Sequence, residues 1–160
     1  MQRSRGLTLV ECLMASAILA LAVVALTQAV AAAQMQTVDA LHRTRATELA
    51  DALMEEVLRL PYADPDGSGG ELTRATFDDM QDFNGFTEAA GTISDSGGTA
   101  YDSPLQGFSR SVTVVPANGG GGISVTGFGN PLVGLTITVT VQDTAGATWT
   151  LTRFKAQPPA

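Results

Sequence analysis

The chain has one cysteine and one histidine among its 160 residues. A lone Cys12 cannot close an internal disulfide, and because it sits in an apolar run it says nothing about redox compartment. With His42 as the only imidazole, a zinc site would have to be built mainly from carboxylates, which is not the usual donor set. The same shortage argues against a Ser-His-Asp hydrolase. Basic residues are few and scattered. Six of the nine (Arg3, Arg5, Arg43, Arg45, Arg59 and Arg74) lie in the first 74 positions, and the net charge is −7. No Lys/Arg cluster tracks a surface, so no nucleic-acid partner is expected. Charge is absent from residues 12–33, proline is absent before Pro61, and no internal repeat is visible.

The N-terminal region is dominated by apolar residues. Residues 1–6, MQRSRG, form a polar leader with Arg3 and Arg5, and residues 7–33 are then rich in Ala, Leu and Val. The uncharged stretch from Cys12 to Ala33 reaches the roughly 20 residues that a helix needs to cross the hydrocarbon core. Arginines before it, and none immediately after, predict a cytoplasmic N-terminus with the remainder outside. Residues 34–60 contain no Gly or Pro, so nothing stops the helix until Pro61. Ala46, Leu49, Ala50, Leu53, Val57 and Leu60 recur at helical spacing, while Glu48, Asp51, Glu55 and Arg59 lie elsewhere on the circumference. Glu55 and Arg59 stand in a favourable i,i+4 order. The pattern predicts one helix from about Leu7 to Leu60, on the order of 80 Å long. Its first half is apolar all round, and its second half is amphipathic and suited to packing on a head.

Residues 61–109 are dense in Gly, Pro, Asp and Ser and read as irregular acidic loop. Phe77, Phe83, Phe86 and Tyr101 are the residues expected to pin that loop to a core, in preference to forming an exposed contact surface. Residues 110–160 carry β signals. Strands are expected at Ser111–Val115, at Ile123–Thr126 after the turn Asn118–Gly122, at Leu135–Val141 and at Thr148–Phe154. Leu135, Ile137, Val139 and Val141 alternate with threonines, and Gly146 lies in a hairpin turn. Trp149 is read as a packing residue and Cys12 as a small hydrophobe. The expected fold class is α+β: a long N-terminal helix whose amphipathic half covers one face of a small antiparallel sheet.

Glu11 is the anomaly. It stands just inside the apolar run, where a buried carboxylate costs about 2.5–3.5 kcal/mol on insertion scales. One reading makes it an interfacial residue of an ordinary anchor. A cleavable signal peptide is another reading of the region, and Ala31–Ala33 offers a small-residue triplet, but the apolar run exceeds the usual h-region. A lipoprotein reading fails because Cys12 follows a glutamate and has no apolar stretch ahead of it.

Taken together, Arg5-Gly6 followed by LTLVE and a long apolar helix resembles the prepilin signature of type IV pilins and of type II secretion pseudopilins. The resemblance implies cleavage after Gly6 by a membrane prepilin peptidase and N-methylation of the new terminus, Leu7. It assigns Glu11 to subunit assembly. The chain departs from the pattern at Leu7, where the family usually has Phe, and at Gln28, where major pilins often have Pro. The acidic loop and the FDDMQDFNGF segment look like those of minor, modification-type pilins. The implied partners are the peptidase/methylase, other pilin or pseudopilin subunits and the inner membrane. The implied location is the inner membrane, single-pass, with the head periplasmic, and then a pilus or pseudopilus. No enzymatic activity is expected. The runner-up is a membrane-anchored periplasmic binding or scaffolding domain that does not polymerise, with a secreted enzyme third.

No cofactor is expected, with calcium the one candidate. Asp64-Pro65-Asp66-Gly67 is a fragment of a calcium-loop pattern, and Asp78, Asp79 and Asp82 add carboxylates nearby. Loop oxygens of this kind suit calcium, and the resemblance implies a calcium-stabilised loop in some pseudopilins. Pro65 and the missing bidentate glutamate break the EF-hand pattern, so solvated turn aspartates are the first account.

Overall fold

The computed structural model describes residues 8–67, 71–117 and 133–158. Its elements are helix α1 (Leu9–Arg59) and strands β1 (Thr87–Glu88), β2 (Phe108–Pro116), β3 (Gly134–Asp143) and β4 (Thr148–Ala156). The chain divides into two units, residues 1–42 and 43–160. The expected α+β class is what is found. The turn Asn118–Gly122 and the strand Ile123–Thr126 lie outside the described residues, as does Leu7, the expected first residue of the helix.

The first unit is helical from Leu9 onward, and every described residue up to Leu41 is exposed. Its side chains include Leu9, Leu13, Ile18, Leu21, Leu26 and Val30, all more than half exposed. The helix is long and apolar enough to cross a membrane. Two hydroxyls inside the apolar stretch are satisfied locally. The Ser16 and Thr27 hydroxyls donate to the carbonyls of Leu13 (2.9 Å) and Val24 (2.8 Å). A hydroxyl bonded within its own helix leaves no bare donor in hydrocarbon.

The second unit is built on the period-3.6 stripe. Ala46, Leu49, Ala50, Leu53, Met54 and Val57 are buried. They form one core with Phe108, Val112 and Val114 of β2 and with Leu135, Ile137, Val139 and Val141 of β3. Leu60, assigned to the stripe from sequence, is only half-buried. The helix stops one residue earlier than expected, at Arg59, ahead of Pro61. Glu55 and Arg59 approach to 3.9 Å on the surface, with both side chains about three-quarters exposed, a geometry worth a few tenths of a kcal/mol at most.

The sheet is four-stranded and antiparallel, in the order β1-β2-β3-β4. β3 alternates as its sequence demands, with Leu135, Ile137, Val139 and Val141 inward and the intervening threonines half-exposed. The β3–β4 hairpin closes through Asp143 N–H to the Ala147 carbonyl at 3.0 Å, and Gly146 takes the left-handed conformation (φ +89°) that the turn requires. Gly134 opens β3 for a different reason. A Cβ there would lie 2.3 Å from the Lys155 carbonyl oxygen and 2.6 Å from the Phe154 ring, so only glycine lets β4 close over it.

The segment between helix and sheet is mostly turns, as expected, but it contains the two-residue β1 and a bridge between Ser94 and Ala100. Its aromatics do pin it. Phe77, Phe83 and Phe86 make a mutually edge-to-face trio with centroids 4.9–6.1 Å apart, and Phe83 is in the core.

Candidate functional site

Three groups of residues carry the chemistry. The first is the helix start. Thr8 is its N-cap: its carbonyl accepts the Cys12 N–H at 3.2 Å, and its hydroxyl accepts the Glu11 N–H at 3.3 Å. The Glu11 carboxylate reaches back to the Thr8 N–H (3.2 Å) and hydroxyl (3.3 Å). This is a capping box, Thr-x-x-Glu, which satisfies two helix-end donors reciprocally. It is written in the sequence as Thr8-Leu9-Val10-Glu11, a pattern that the intersubunit reading of Glu11 eclipses. Glu11 therefore has a role within one chain as well as the role implied between chains. Gly6 and Leu7 lie outside the described residues.

The second group is a chain of alternating charges inside the head, linking Glu56 of α1, Arg74 of the loop, Glu88 of β1 and Arg110 of β2. Arg74 binds Glu56 with both Nε (2.6 Å) and Nη2, and its Nη1 reaches Glu88 at 3.0 Å. Arg110, whose side chain is wholly buried, binds the other Glu88 oxygen through Nε (2.9 Å) and Nη2. Ser94 closes the group: its carbonyl accepts from Arg110 Nη2 at 2.6 Å, and its N–H and hydroxyl both donate to Glu88 at 3.1 Å. Arg74 stacks on Phe86 at 5.5 Å and Arg110 on Tyr101 at 5.4 Å. Burial acts to lower the Arg74 pKa, but its hydrogen bond with Glu56 and the charges of Glu56 and Glu88 outweigh burial and hold it above the usual value. Nothing local in the sequence reveals this group, because its partners are 14 to 22 residues apart. Its role is to clamp the loop between helix and sheet.

The third group is the acidic loop. Carboxylate oxygens of Asp64, Asp66 and Asp78 lie within 4.8 Å of one another, and so do those of Glu71, Asp78 and Asp82. Asp78 belongs to both triads, and its Oδ1 is sealed from solvent without a hydrogen-bond partner. Desolvation first, then the charges of Asp66, Glu71, Asp64 and Asp82, push the Asp78 pKa up. Of the five aspartates singled out from sequence, Asp79 falls in neither triad. It is buried, and its Oδ1 accepts the N–H groups of Gln81 and Asp82 as a turn cap. Glu71 is the carboxylate that sequence reading missed. Each triad offers only carboxylate oxygens, the donor type that hard divalent cations such as calcium take.

Compared with known protein families, residues 1–27 match the prokaryotic N-terminal methylation motif. Comparison with curated proteins and with solved structures returned no match. The matched segment contains Gly6, Leu7, Thr8 and Glu11 and ends within the exposed apolar helix. The chain thus carries the prokaryotic N-terminal methylation motif at the start of a long helix that is apolar as far as Ala33, followed by an α+β head, an arrangement that supports kinship with type IV pilins and pseudopilins.

Proposed function

We propose that the chain is a minor pilin-like or pseudopilin subunit, cut after Gly6 by prepilin peptidase, N-methylated on Leu7 and assembled through its apolar helix into a type IV pilus or a type II secretion pseudopilus. The observation that carries this reading is the methylation motif standing at the head of a helix that is apolar as far as Ala33 and exposed as far as Leu41. A freed α-amino group has a pKa near 8 and is largely cationic at neutral pH. When apolar helices pack side by side, the Leu7 ammonium of one chain meets Glu11 of a neighbour, and each buried charge gains a partner that neither has alone. Such a contact also fixes axial register. Arg3 and Arg5 keep the leader cytoplasmic, which puts the head in the periplasm. Deleting the host's prepilin peptidase tests the processing step: the chain should then stay full length in the inner membrane and be absent from sheared surface filaments. Filament entry without the peptidase would overturn the proposal.

One observation favours the non-polymerising anchor as a second reading. The capping box gives Glu11 a use within a single chain.

For the acidic loop we propose calcium as the ion its donors suit, with Asp78 shared between the two triads. The Asp78 pKa is raised above its ordinary value of 3.8. A raised carboxyl pKa contributes stability that is fully present below that ordinary value and lost as pH rises through the folded-state value. Without divalent ions, the wild-type melting temperature should therefore fall, relative to that of Asp78→Asn, as pH rises above about 4. Adding calcium at neutral pH should restore it in the wild type and leave Asp78→Asn nearly unchanged. A calcium-independent melting temperature in the wild type would rule the ion out.

A further inference from the structure

The two edges of the sheet are finished differently. On the β2 side, β1 and the loop close the edge. The Val112 N–H donates to the Phe86 carbonyl at 2.9 Å, the Gly85 N–H to the Val112 carbonyl at 3.1 Å, and the Val114 N–H to Asn84 Oδ1 at 3.1 Å. On the other side, β4 is nine residues long and has no strand beyond it among the described residues. The ladder fixes which of its groups face out. Gln157 N–H bonds the Val133 carbonyl and Asp143 N–H the Ala147 carbonyl, so the odd-numbered residues of β4 exchange hydrogen bonds with β3. The alternation of an antiparallel pair then directs the N–H and C=O groups of Thr148, Thr150, Thr152, Phe154 and Ala156 away from the sheet. Among the described residues this edge is therefore open over its whole length, and an open edge of this kind is a template for another strand.

The side chains on the edge select its occupant. Trp149 and Leu151 are half-buried against the core, and Arg153 and Lys155 follow on the same face. These two are the only Lys/Arg residues after Arg110 in a chain of net charge −7. A second copy of this chain is a poor occupant. Its β2 edge is sealed by residues 84–88, and its β4, TWTLTRFKA, offers no carboxylate to either cation.

Building on the pilin-like reading, we propose that the open edge of β4 accepts an extended strand from a different subunit of the same assembly. That strand carries apolar residues against Trp149 and Leu151 and carboxylates against Arg153 and Lys155. The interaction is strand addition: backbone hydrogen bonds supply affinity, and the apolar-then-acidic pattern supplies selection.

Hydrogen exchange on residues 148–156 tests this, comparing the detergent-solubilised full chain with native filaments that contain it. Exchange at the outward amides should be fast in the lone subunit and slower by at least about tenfold in filaments. Thr152→Pro removes one outward N–H and no ladder bond, a substitution that edges tolerate. It should leave the melting temperature of the head close to wild type while abolishing the added protection and lowering incorporation. Arg153→Glu combined with Lys155→Glu should lower incorporation without touching the backbone. Filaments in which residues 148–156 exchange as fast as in the lone subunit overturn this inference and leave the pilin-like reading standing. Protection that develops in the purified chain alone, as its concentration rises, overturns the choice of occupant. A wild-type chain that never enters filaments overturns the pilin-like reading and this inference with it.

Discussion

Glu11→Gln is expected to insert in the membrane and be processed normally, yet to fall at least about tenfold in filament incorporation, the equivalent of 1.4 kcal/mol or more of lost pairing. The substitution is chosen because the capping box accepts Gln as well as Glu at this position. The helix start held by Thr8 and residue 11 is therefore retained, and the negative charge alone is lost. Glu11→Ala removes the charge and the carboxylate half of the capping box, while the Thr8 hydroxyl still accepts the residue-11 N–H, and it should incorporate no better than Glu11→Gln. Quantitative immunoblotting of sheared filaments against whole membranes reads both variants. If Glu11→Gln incorporates like the wild type while Glu11→Ala does not, residue 11 serves the cap and the intersubunit charge pair is wrong.

Arg110→Met should lower the stability of the head by about 3–5 kcal/mol, the cost of breaking a buried ion pair from one side. Arg110 is wholly buried at its side chain and neutralises one oxygen of Glu88, which is itself only about a tenth exposed. Methionine fills much of the volume but leaves that oxygen without its two guanidinium donors and leaves the Ser94 carbonyl without one. Arg74 still holds the other Glu88 oxygen, so the charge keeps one partner and the loss is bounded. The exposed Glu55–Arg59 pair supplies the contrast, since Arg59→Ala should cost no more than about 0.5 kcal/mol. Denaturant unfolding of the two variants measures the difference. A cost below about 1 kcal/mol for Arg110→Met would mean that the charge chain does not clamp the loop.

The parts legible in the sequence are those with a short period. The helix stripe from Ala46 to Val57 and the alternation from Leu135 to Val141 repeat every 3.6 or 2 residues, and the structure buries those side chains on one core. Helix and strand ends are less secure because local hydrogen bonds decide them. β2 begins at Phe108, directly after a turn closed by the Phe108 N–H on the Leu105 carbonyl, and β4 runs on to Ala156 because its ladder with β3 continues to Gly134. The capping box is legible as Thr8-x-x-Glu11, but the intersubunit assignment of Glu11 masks it.

What local pattern does not encode is the pairing of distant charges. Glu55–Arg59 is visible at i,i+4 and lies exposed on the surface, whereas Arg110 and Glu88 are 22 positions apart and pair inside the head. The acidic loop shows the same limit. Asp78, Asp79 and Asp82 are neighbours in sequence, yet turn geometry sends Asp79 inward as a cap and brings Glu71 toward Asp78 and Asp82. The open edge of β4 required both the strand order and the ladder phase, neither of which composition or periodicity supplies.

The mass of the N-terminal peptide from the protein in its native host tests the central claim most directly. The account predicts a chain that begins at Leu7 and carries one methyl group on its α-amino nitrogen. An intact leader, or a terminus near Ala33, would contradict it.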